Sequence, residues 1–161
     1  MRQRLAARGI TLPEGPLGVG AYGDSAALSQ SLIALIRSGR KRAGTALLWA
    51  CEHDGDALPV VGELEVVVDH LDEPALLTRS TRVHVCPFDA VDDAYAAVEG
   101  EGDGTLAYWC AGHWEFFTRE CARIGRTPTL QMPVVCCEFE LLVDFAAELG
   151  DPPAPTPRCP G

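Results

Sequence analysis

Four cations stand close together in an otherwise acidic chain: Arg37, Arg40, Lys41 and Arg42. Against a formal net charge of −10 over 161 residues, that cluster suits a local phosphate-binding patch. It equally suits the last turn of a solvated helix, where cations complement the macrodipole. A second group, Glu99, Glu101 and Asp103, lies in a Gly-rich run. Such a loop can offer oxygen ligands to a hard cation, or can lead into a helix whose N-terminus favours Asp103. Among the tryptophans, Trp109 falls on the apolar stripe of a helix and is expected in the core. Trp49 closes an apolar strand near Lys41 and is the better candidate for stacking on an unpaired base. His113, on the buried side of the same helix as Trp109, reads as a satisfied core histidine. His84-Val85-Cys86 can hold a metal only with partners far along the chain, and no metal is expected.

The elements that position these residues follow from periodicity and caps. Asp24 or Ser25 caps a helix carrying Leu28, Leu32, Leu35 and Ile36, which Gly39 stops. Ala43–Cys51 reads as one short apolar strand, with a turn at Asp54-Gly55. Leu64–Asp69 and Leu76–Val85 are further strands, separated by a turn near Asp72-Glu73-Pro74. Asp89 opens a short helix through Val98, and Thr105 opens a longer one ending at Gly125. Pro133–Val143 is the last strand. Residues 1–20, rich in Gly and Pro, are expected to wrap loosely over the surface, and the Pro-rich tail from Gly150 is expected to be disordered. Gly18, Gly20 and Gly23 match a dinucleotide fingerprint literally, but no strand precedes them and no acid follows at the required distance. Several strands interleaved with helices without a regular βαβ rhythm indicate an α+β fold, a small mixed β-barrel flanked by helices.

Composition narrows the class further. Hydrophobic residues make up 47% and charged residues 22%, close to the globular average. No apolar run approaches the roughly 20 residues that span a bilayer, so no membrane partner is expected. The basic first residues lack an apolar segment after them, which points to a cytoplasmic protein. Seven cysteines are an odd count with no Cys-x-x-Cys pair, and Cys86, Cys121, Cys136 and Cys137 fall in apolar stretches, as buried free thiols do. The net negative charge disfavours sequence-blind binding to long nucleic acid, which requires counterion release from a basic surface.

Three blocks carry a family resemblance. Ala21 to Ser25, followed by Ser38 to Lys41 and Leu47-Leu48-Trp49, resembles the opening of bacterial ASCH proteins. Glu99 to Asp103 with Leu106 to Trp109, and then His113 to Cys121, resembles their second half. Met132 to Cys136 with Phe139 resembles their closing strand. The resemblance covers residues 17–143 and implies a PUA-like barrel at 17–145, between an N-terminal extension (1–16) and a C-terminal tail (146–161). It implies recognition of RNA or a modified nucleoside in a pocket lined by Tyr22, Arg40, Lys41, Trp49 and Glu101, with no cofactor. Some members resembling this chain more loosely remove the acetyl group of 4-acetylcytidine with a Gly-x-Lys-x-x-Thr motif and a later glutamate, and some larger ones are reported to cleave RNA. Carried over, the lysine falls on Lys41, the glutamate on Glu101 and the threonine on Gly44, a departure from the motif. Thr45 is adjacent and is expected to face away, because successive strand side chains alternate. A binding module is therefore the first expectation. A hydrolase using Lys41 and Glu101, with water or Thr45 in place of the missing hydroxyl, is the second. A regulator of a partner protein is the third.

Overall fold

The computed structural model describes residues 17–148 together with Gly9, Thr11, Leu12, Glu14 and Gly15. The basic N-terminal stretch and the Pro-rich tail read from the sequence lie outside the described residues. The elements run in the order β1 (Gly18–Ala21), α1 (Ala26–Arg37), β2 (Ala43–Leu47), α2 (Leu48–Asp54), β3 (Leu64–Val68) and β4 (Pro74–Pro87). They continue with a 3-10 turn (Phe88–Ala90), α3 (Asp93–Glu99), α4 (Leu106–Arg123), β5 (Pro133–Asp144) and α5 (Phe145–Glu148).

The five strands form one mixed sheet in the order β1-β3-β4-β5-β2, parallel at β1–β3 and antiparallel elsewhere. The sheet curls into the half-barrel of a PUA-like fold. Curvature has a local cause in β4, where register shifts between Leu77 and Thr78 and between Ser80 and Arg82 interrupt the ladder to β5, as bulges do.

Alternation along β5 splits the core between the two faces of the sheet. Val134 and Cys136 face a cluster with Leu47, Phe88, Tyr95, Trp109 and Phe117, which seats α2, α3 and α4. Phe139 points the other way, into a cluster with Ile33 and Ile36 of α1 and with Val67 and Leu76. The helix starts are set by side-chain caps: Ser25 accepts from Leu28 N–H, Asp92 from Tyr95 N–H and Thr105 from Tyr108 N–H, each satisfying an otherwise orphan donor.

Three expectations are corrected. Gly18–Ala21 is a strand, paired parallel to Glu65–Val68, where a loose wrap was read; two glycines and a short length hid its pattern. The apolar run from Ala43 is a strand only to Leu47, and Trp49 therefore sits in helix α2. The ladder to β5 ends at Leu47↔Val134, next to Pro133 where β5 begins, and Leu48 onward has no strand to pair with. The helix expected from Asp89 begins at Asp93, because Asp92 is its cap and Phe88–Ala90 forms a separate 3-10 turn.

Phe117 is fully buried at the centre of the larger cluster, in edge contact with Phe88. Phe117→Ala is expected to lower the unfolding free energy by about 3–5 kcal/mol, measured by urea denaturation. A loss within the scatter of surface substitutions would mean that α4 does not seat on this cluster.

Candidate functional site

The strap between α1 and β2, residues 39–42, meets the end of α3 and the loop after it. Arg42 N–H donates to the Val98 carbonyl at 2.9 Å, and the Arg40 guanidinium donates to the Gly102 carbonyl. Gly100 closes α3 in the left-handed conformation at φ 68°, and a Cβ there would overlap the Arg40 carbonyl oxygen. Glycine is thus required twice over at this position, by backbone conformation and by close approach.

This seam buries Lys41, which is 1% exposed. Its Nζ lies 2.5 Å from Glu101 Oε1 and 3.4 Å from Glu99 Oε1. The Tyr22 ring, its centroid 5.4 Å away, adds a cation–π contact. Glu99 is equally buried, at 1%, and accepts from four groups. Besides Lys41, Oε1 faces His113 Nε2 at 3.3 Å. Oε2 accepts from Trp109 Nε1 at 2.5 Å and from Thr45 Oγ1 at 2.8 Å. Those four use the whole acceptor capacity of a carboxylate. Burial by itself would raise the Glu99 pKa. The His113 hydrogen bond, the Lys41 charge and the Trp109 donor outweigh it and bring the value down to about 2.

His113 is held by its own helix. Its Nδ1 is 3.0 Å from the Trp109 carbonyl, which can only accept, and its ring stacks on the Trp109 indole at 4.3 Å and 17°. On the other flank Tyr95 OH donates to Gly44 O at 2.8 Å and lies 3.0 Å from Thr45 Oγ1. Burial, followed by the nearby Glu99 charge, raises the Tyr95 phenol and keeps it a donor. Burial likewise raises Tyr22, with Glu65 adding to it.

The structure thus brings Lys41, Glu101, Thr45 and Tyr22 together, and adds Glu99, Trp109 and His113. Thr45 faces the site, against the expectation that it would turn away. Face alternation counted from Lys41 puts residues 41, 43, 45 and 47 on one side, and Gly44 is the residue on the other. A Cβ at Gly44 would meet the Tyr22 ring at 3.1 Å, so the tyrosine occupies the space a side chain there would need.

Arg40 reaches the site only through its bond to Gly102. The Trp49 ring lies under the Arg126 guanidinium at 4.5 Å. The four cations splay: Arg37 pairs with Asp144 and Arg42 bonds back to the Gly39 carbonyl. Asp103 caps the entry to α4 through Thr105.

Glu99 was missed as a site residue because it was read as part of a flexible loop. Two signals pointed to it. It falls four residues after Tyr95 on the buried side of α3, and a carboxylate at a helix C-terminus opposes the macrodipole unless another partner holds it.

The Glu101 side chain is 26% exposed; Tyr22, on the Gly44 side of β2, and Thr45, on the Glu99 side, are each half-buried. Across the Tyr95 ring is a cleft of about 270 Å³ lined by Arg82, His84, Asp92, Tyr95, Val98 and Glu138 among others. No helix among the described residues is long and apolar enough to cross a membrane.

The family model described as the ASCH domain matches residues 18–143. A solved ASCH domain from Lactobacillus crispatus JV V101 is 31% identical, with 78% of this chain and 79% of that one covered and a TM-score of 0.73. A solved protein from Enterococcus faecalis V583 is 25% identical over 98% of this chain and 94% of that one, with a TM-score of 0.79. No curated protein matches the chain.

Glu99 links the site to pH. Its carboxyl titrates lower in the folded chain, near 2, than at its ordinary value of 4.5. The stabilisation is therefore complete above the ordinary value and is lost as pH falls from about 4.5 toward about 2; its size is about 3 kcal/mol. Glu99→Gln is expected to be less stable at neutral pH and to lose that part of the acid-induced decline, followed by urea unfolding across the pH range. An acid limb identical to that of the unmodified chain would show that Glu99 is not the ionised partner of Lys41.

Proposed function

We propose that this chain, which belongs to the ASCH domain family, recognises an unpaired base of RNA or a modified nucleoside at the Lys41–Glu101 pair, where Glu101 is partly exposed. The observation that carries this reading is the charge balance of the site. Lys41 already meets two carboxylates, and Glu99 meets four donors. The cluster therefore has no spare positive charge for a run of phosphates, in keeping with the net charge of −10 and the counterion argument. What remains accessible is the Glu101 carboxylate as acceptor, 26% exposed, with the Tyr22 ring beside Lys41; the Thr45 proton is already given to Glu99. A carboxylate accepting from an exocyclic amine is how cytosine N4 is read, and a ring beside it supports stacking. The ASCH family and its PUA-like fold support RNA as the partner class.

A second reading, hydrolysis of a 4-acetylcytidine-like amide, is favoured by one observation. Thr45 Oγ1 donates to Glu99 at 2.8 Å while Lys41 holds the other oxygen of the same carboxylate, the arrangement of a hydroxyl nucleophile, a proton acceptor and an electrostatic partner. A carboxylate held near pH 2 is a weak base for that task, which ranks this reading second. RNA cleavage through Lys41 and Glu101 would have to use two groups already paired with each other.

Chromatography of 4-acetylcytidine incubated with the protein separates the two, run beside Thr45→Val and alongside calorimetric binding of cytidine, 4-acetylcytidine and a short unstructured RNA. Recognition is expected to show as binding without conversion, weakened about tenfold or more by Glu101→Gln, as loss of one charged hydrogen bond predicts. Conversion to cytidine that disappears in Thr45→Val would establish the hydrolase instead. Absence of both binding and conversion would overturn the nucleoside reading altogether.

A further inference from the structure

We propose that His84, Cys86 and Cys136 form a binding site for a zinc-class metal ion, three protein ligands with the fourth position left to water. The ladder builds the constellation. His84 on β4 stands directly opposite Cys136 on β5, and Cys86, two residues beyond His84, shares its face of β4. The ligand atoms of the three residues all lie within 4.8 Å of one another. Ligation at about 2.0–2.3 Å in a tetrahedron sets donor atoms under 4 Å apart, a contraction that side-chain rotation on two paired strands can supply.

An independent observation points to the same place. His84 Nδ1 is buried without a hydrogen-bond partner, the one such side-chain atom among the described residues. Buried polar atoms are ordinarily satisfied, and an imidazole nitrogen beside two thiols is satisfied by a metal. The ring is oriented by an edge contact with Tyr95 at 5.9 Å, and His84 also forms part of the wall of the 270 Å³ cleft, which provides an entry path. Two sulfurs and an imidazole select a borderline-soft ion such as Zn²⁺ over Mg²⁺ or Ca²⁺, and two thiolates balance its charge. The sequence alone showed only His84 and Cys86; Cys136 is the distant partner that register supplies.

The test is a titration of the full, reduced chain with Co²⁺, read by its thiolate charge-transfer band and its d–d bands, followed by competition with Zn²⁺. The expected result is saturation near one equivalent, tetrahedral band intensity and bleaching by Zn²⁺. The bands are expected to vanish in Cys86→Ser and His84→Gln, both at half-buried positions, and to persist in Cys110→Ser, with circular dichroism confirming that each variant is folded. Absence of the bands in the unmodified chain, or bands that survive Cys86→Ser, would overturn the assignment.

Discussion

An ammonium group removed from water costs several kcal/mol unless opposite charge meets it at close range, and at Lys41 the chain removes one almost completely. The two carboxylates that answer it belong to a segment far along the sequence, the end of α3 and the loop after it. The strap at 39–42 and the turn at 99–102 must therefore close against each other, and the surrounding backbone is shaped for that closure. Gly100 takes the conformation and the clearance that no other residue offers there. Arg42 and Arg40 stitch the two segments through the Val98 and Gly102 carbonyls. Once Glu99 is fixed, its second oxygen sets where Thr45 and the Trp109 indole must lie, and His113 stacks behind. One buried charge thus dictates the mutual placement of α1, β2, α3 and α4.

This arrangement explains why the net acidity of the chain and its basic cluster do not conflict. The cluster does not act as a unit: Arg37 and Arg42 turn to local partners, Arg40 is spent on a carbonyl, and Lys41 is internal. The surface stays acidic, while the single cation with a special environment is neutralised from within. A pocket of that kind discriminates by hydrogen-bond pattern and shape rather than by field, which is how a base edge differs from a phosphate backbone.

Much of the fold was legible in the sequence because local signals agreed with it. The caps at Ser25 and Thr105, the Val run of β3 and the alternation in β4 each have a short-range physical cause, and the ordered blocks of family resemblance singled out Lys41 and Glu101, which the fold pairs. Illegible features were those set by partners across the sheet. The end of β2 at Leu47 depends on where β5 begins, and β1 is a strand only because β3 lies beside it. Glu99 looked like a loop acid because its four donors come from three other elements. The orientation of Thr45 was readable in principle, since alternation from Lys41 gives it directly; counting from Gly44 lost it.

The sheet order has a consequence for synthesis. Strand β2 carries Thr45 and follows Lys41, yet its ladder partner is β5 alone, made after α2, β3, β4, α3 and α4. On the ribosome, β2 must wait as an unpaired segment while α2, β3, β4, α3 and α4 emerge. Until Pro133–Asp144 clears the exit tunnel, Thr45 has no strand to fix it beside Glu99. The site is therefore a late product of translation, and a nascent chain stalled before β5 exposes a lone apolar strand to whatever chaperone is nearest.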